Sequence, residues 1–140
     1  MSNNTIIPGC GIHHVALRTS DIERSLQFYL EGLGCTLRAR WGEGDSRVAM
    51  VDLGDGAVLE LFHGGSNEGP CQEQKAGGWF HLALSVENAD DAFARAVQFG
   101  AREKIAPKDA LIDAVPAPMK VRIAFVYGPD GEILEFFQSC

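Results

Sequence analysis

The alternation of apolar and polar positions follows one rhythm twice along the chain. Residues 12–18 alternate with the two-residue period of a half-buried strand. A polar cluster follows, with Ser20 and, three residues on, Glu23 reading as a capping box. Ile22, Leu26, Phe28, Tyr29, Leu30 and Leu33 then recur at helical spacing, and Gly34 suits the helix end. Residues 36–41, 46–53 and 57–62 predict three strands, the last two joined by a Gly-Asp-Gly turn. The series then restarts. Residues 80–86 predict a strand, and Asn88 caps a helix carrying Ala92, Phe93, Ala96, Val97 and Phe99, which Gly100 ends. Residues 121–127 and 132–138 predict strands around a Gly-Pro-Asp-Gly turn. The intervening stretch 101–120 holds three prolines and predicts one short strand near 103–106, then a loop over 106–119.

The halves also agree in wording. "AMVDLGDGAVLELF" at 49–62 matches "AFVYGPDGEILEFF" at 124–137, and "HVAL" from His14 matches "HLAL" from His81. The chain therefore reads as two copies of one βαβββ unit within a single α+β domain, residues 1–140. Unit one spans about 11–63, a linker about 64–78, and unit two about 79–138.

Strand parity separates the unusual residues from the core. His14 shares a face with Ala16 and Arg18, and His81 shares one with Ala83 and Ser85. The opposite faces, Val15 with Leu17 and Leu82 with Leu84, are expected to meet the helices, and His13 falls on the helix side. Glu60 sits between Leu59 and Leu61, and Glu135 between Leu134 and Phe136. Burying an unpaired carboxylate costs several kcal/mol, so something must compensate it. Taken singly, a strand His or Glu is an ordinary satisfied side chain. Two of each at equivalent repeat positions form a candidate metal set: His14, Glu60, His81 and Glu135. Nitrogen and oxygen donors without sulfur suit one divalent Ni, Zn, Co, Mn or Fe ion, and argue against Cu(I) and iron–sulfur centres. His63 reads as structural or solvated.

Charge narrows the partners. The net charge of −7, with no basic cluster on any element, disfavours nucleic acid and anionic membranes. No apolar run approaches a bilayer span, and the first ten residues lack an export pattern, which predicts a cytoplasmic protein. Cys10, Cys35, Cys71 and Cys140 then read as free thiols.

Quoted motifs carry a family resemblance. His14, Leu17, Asp21, Ser25, Phe28, Tyr29, Leu33 and Gly34 fit H-x-x-L-x-x-x-D-x-x-x-S-x-x-F-Y-x-x-x-L-G, and "PDGEILEF" closes the chain. Over residues 12–138 this resembles the vicinal oxygen chelate superfamily, which includes glyoxalase I, bleomycin-resistance proteins, methylmalonyl-CoA epimerase and extradiol dioxygenases. The resemblance implies paired βαβββ units in a curved mixed sheet around a divalent metal, commonly in a homodimer. The His, Glu, His, Glu order is closest to bacterial glyoxalase I, a lactoylglutathione lyase. That implies a carbon–sulfur lyase or isomerase acting through an enediolate on the hemithioacetal of an α-oxoaldehyde and a thiol such as glutathione. Glu135 would be the base, Glu60 a second proton shuttle, and Arg18 the partner of a thiol-substrate carboxylate. Two departures stand out: Gly128-Pro129-Asp130-Gly131-Glu132 replaces the usual D-P-D-G-Y, and 106–119 does not resemble the family's glutathione-binding loop. Other enolate-forming epimerases or isomerases of the family are the alternative enzyme reading. A non-catalytic drug-binding protein, with Trp41, Trp79, Phe62 and Phe137 lining its groove, is the rival from another class.

Overall fold

The computed structural model describes residues 2–67 and 76–140. The chain divides into two compact units, Met1–Leu30 with Gly34–Gly65, and Glu31–Leu33 with Ser66–Cys140.

In the first unit, β1 (His14–Thr19) leads into α1 (Ile22–Leu26), which widens into a π-turn over Gln27–Gly32. Strands β2 (Thr36–Trp41), β3 (Val48–Asp52) and β4 (Val58–His63) complete a four-stranded sheet in the order β1-β4-β3-β2. β1 runs parallel to β4, and the other pairs are antiparallel. The helix starts one residue later than the capping box suggests. Asp21 is extended and its carboxylate accepts the Arg24 N–H at 3.2 Å, whereas Ser20 Oγ accepts from the Arg24 guanidinium. Gly34 ends the segment at φ +75°, a left-handed value that side-chain-bearing residues seldom adopt, and Cys35 N–H reaches back to Tyr29 O at 2.9 Å. The apolar helix face is buried as expected: Ile22, Leu26, Phe28 and Tyr29 are buried, as are Ala49, Val51, Leu59 and Leu61 on the sheet. β1 contributes less than its pattern implies. It is an edge strand with Val15 exposed and Leu17 half-buried, and α1 packs chiefly on β4.

The second unit repeats the topology. β5 (Leu82–Ser85), α2 (Ala89–Gln98), β6 (Arg102–Ile112), β7 (Met119–Tyr127) and β8 (Ile133–Ser139) give the sheet order β5-β8-β7-β6. Asn88 caps α2 as expected, accepting the Asp91 N–H at 3.0 Å. Arg122 clasps Asp90 and Asp109, holding both carboxylates close, and the Asp90 interaction keeps that carboxyl below its ordinary range. Leu134, Phe136, Ala124 and Val126 are buried under α2. The expected loop over 106–119 is corrected: residues 106–112 continue β6, and Met119 opens β7. Pro107 does not break the strand. It lies on an edge strand, inside the register gap between Ile105 and Lys108, where a missing N–H costs no ladder bond.

The architecture is thus α+β, two four-stranded mixed sheets built from repeated βαβββ units. Among the described residues no helix is long and apolar enough to cross a membrane. Cys10, Cys35 and Cys140 are free thiols, and Cys71 lies outside the described residues.

Candidate metal centre

Register fixes where each site residue stands. In the first unit His14 pairs with Val58 and Ala16 with Glu60. Paired residues of parallel strands project to the same side, so His14 and Glu60 share one face, two positions apart. Arg18, opposite Phe62, is on that face too, and Met50 flanks Glu60 from β3. In the second unit Leu82 pairs with Leu134 and Ala83 with Glu135. His81 immediately precedes Leu82, so it stands to Glu135 as His14 stands to Glu60. Phe125 flanks Glu135 from β7, in the place of Met50. The duplicated register delivers one imidazole and one carboxylate to the same face of each sheet.

The two halves differ in what those groups touch. His81 Nε2 lies 3.1 Å from Glu135 Oε2, with the Glu135 side chain 10% exposed. Phe80 and Phe125 meet the His81 ring edge to face, at 4.8 and 5.6 Å between centroids. Phe80 and Phe125 were not singled out by sequence; strand parity alone puts Phe125 on the Glu135 face. In the first unit Glu60 is 8% exposed, and among the described residues no hydrogen bond or ion pair reaches its carboxylate. Among the described residues no fully buried side-chain oxygen lacks a partner, so the Glu60 carboxylate keeps its residual access at the sheet face. His14 is exposed, and its Nδ1 lies 2.9 Å from His13 Nδ1. His13 precedes β1 and is exposed. Arg18 stacks its guanidinium over Phe62 at 5.6 Å, with its aliphatic stem against Gly65.

His63 has a structural role. Its Nδ1 accepts the Ile22 N–H at 3.2 Å, satisfying a free donor at the start of α1. Of the aromatic residues suggested for a groove, Trp41 and Trp79 are exposed while Phe62 and Phe137 are half-buried.

The donor set fits a divalent cation in chemistry: two imidazoles and two carboxylates at equivalent strand positions, Glu60 having no protein partner among the described residues. Among the described residues the structure brings these groups together as pairs within each unit, and no three His, Cys, Asp or Glu side chains are grouped closely enough to hold an ion.

Comparison with known proteins places this fold and sequence. The sequence profile of the Glyoxalase/Bleomycin resistance protein/Dioxygenase superfamily matches residues 11–136. A probable lactoylglutathione lyase from Synechocystis is 33% identical over 134 residues, 90% of this chain and 93% of that protein. The lactoylglutathione lyase of Neisseria meningitidis is also 33% identical, covering 90% of this chain and 88% of its own length. Among solved structures, a Streptomyces antibiotic-binding protein superposes with a TM-score of 0.71 at 21% identity, covering 96% of this chain and 99% of that one. The repeated register, the paired imidazoles and carboxylates, and the match over nearly the whole chain agree: this chain belongs to the glyoxalase/bleomycin resistance/dioxygenase superfamily, with homologues named lactoylglutathione lyase.

Proposed function

We propose that the protein is a metal-dependent, glyoxalase I-like enzyme acting on the hemithioacetal of an α-oxoaldehyde and a thiol, glutathione being the first candidate. The observation that carries this reading is the duplicated pairing: an imidazole two register positions from a carboxylate, on the same face, in both units. Relatives named lactoylglutathione lyase at 33% identity support it. His14, Glu60, His81 and Glu135 would hold one divalent ion, Ni, Zn, Co, Mn or Fe, in a homodimer. When bound, that ion supplies positive charge for the oxygen anion that develops as a substrate carbon loses its proton.

The chain's own groups do the rest. Glu135 takes the proton from the carbon bearing sulfur and hydroxyl, and a proton returns to the neighbouring carbon. His81 Nε2, beside Glu135 Oε2, orients that carboxylate. Glu60 serves as a second proton shuttle. Arg18, held over Phe62, offers a fixed cation to the carboxylate of the thiol portion.

The test is turnover of methylglyoxal with glutathione by metal-loaded protein, alongside metal analysis. Glu135→Gln should lower kcat at least a hundredfold, the range expected for a lost general base. Full activity in that variant would reject the assignment. The structural likeness to an antibiotic-binding protein favours one other reading, a sequestering protein. That reading predicts tight binding of an aromatic drug, negligible bound metal, and indifference to Glu60→Gln and Glu135→Gln.

A further inference from the structure

We propose that His13 is a positioning residue for His14: it accepts a hydrogen bond from His14 Nδ1–H and so fixes the ring with Nε2 free to bind a cation. This inference rests on the metal reading above and adds a residue to it. Three observations converge. The Nδ1 atoms lie 2.9 Å apart, within hydrogen-bond distance, with the rings nearly perpendicular at 84°. The His13 backbone is tied to the neighbouring strand, because Val58 N–H donates to His13 O at 3.3 Å. In the other unit the equivalent imidazole turns its Nε2 toward the carboxylate, His81 Nε2 to Glu135 Oε2. Consuming Nδ1 at His14 leaves the same nitrogen available there.

The chemistry sets the direction. A neutral imidazole carries one N–H, so two Nδ1 atoms in contact need one donor and one acceptor. Were His13 the donor, His14 would carry its proton on Nε2 and could not ligate through it. Histidines that bind metals usually donate their other ring N–H to a partner that fixes tautomer and orientation. In His14 that partner is another histidine, adjacent in sequence. Both rings are exposed, so without the contact the His14 ring is free to rotate and to exchange tautomers.

The experiment has two readouts. The first is long-range proton–nitrogen correlation on metal-free protein labelled with ¹⁵N-histidine. His14 should show a protonated Nδ1 and a bare Nε2, and His13 the reverse. In His13→Ala, His14 should lapse into a mixture of tautomers. A His14 protonated on Nε2 in the native protein overturns the proposal. The second is nickel or zinc affinity by calorimetry. His13→Ala should weaken binding about tenfold, and His13→Asn, which keeps an acceptor oxygen, should recover most of it. Equal affinities in wild type and His13→Ala would also overturn the proposal. If wild-type protein takes up neither metal, the metal reading itself fails, and the tautomer spectrum still decides whether His13 orients His14.

Discussion

Replacing Glu60 with glutamine should reverse the order of stability between metal-free and metal-loaded protein. Glu60 is 8% exposed inside β4, between the buried Leu59 and Leu61. Among the described residues no hydrogen bond or ion pair compensates it. Glutamine keeps the shape and removes the charge. With a strong chelator present, Glu60→Gln should therefore gain about 1 kcal/mol, because partly desolvating an amide costs less than desolvating a carboxylate. For a chain of this length that is a rise in Tm of about 3 °C. Glu135→Gln should gain less, since His81 Nε2 at 3.1 Å already compensates Glu135. Adding nickel or zinc at a hundred times the Kd should stabilise wild type by about 2.7 kcal/mol and the weaker-binding variant by less, so that wild type overtakes it. The assay is thermal unfolding followed by circular dichroism, with chelator and with metal. The same ranking in both conditions would refute the claim that Glu60 is a ligand held at a cost to the empty fold.

Other perturbations test the scaffold. Asp21→Ala should cost about 1 kcal/mol in urea unfolding by removing the α1 cap, and Ser20→Ala should cost less. Phe136→Ala, at a side chain 1% exposed beneath α2, should cost about 3–5 kcal/mol in the same assay. Burial pushes the Cys35 thiol from 9.0 up to about 11, with the charge of Asp52 adding to the rise. At pH 8 its alkylation in native protein should run about a hundredfold slower than that of an ordinary thiol, read by mass spectrometry. Because the unfolded thiol ionises near 9.0 and the folded one near 11, the stability linked to Cys35 is intact below pH 9 and declines between those values.

The sequence carried the duplication, and with it most of the fold. Alternation and turn residues predicted β1 to β4 to within two residues, because Gly54-Asp55-Gly56 and the apolar strands state the hairpin locally. Parity also put His14 with Arg18, and His81 with Ala83, on the faces that the ladder pairings give them. Two features were illegible for physical reasons. Pro107 is a strand breaker only where its N–H would be needed, and the pattern does not reveal that β6 is an edge. The His13 contact joins the rings of two sequence neighbours at the point where β1 begins, which a strand pattern does not foretell. The doublet His13-His14 was visible, yet alternation taken alone sends neighbours to opposite faces.

The most direct measurement is anomalous X-ray scattering from crystals grown with nickel or zinc. The account predicts one peak per site, about 2.0–2.2 Å from an imidazole nitrogen of His14 and of His81 and from a carboxylate oxygen of Glu60 and of Glu135. A peak held by other residues, or none at this set under saturating metal, would contradict it.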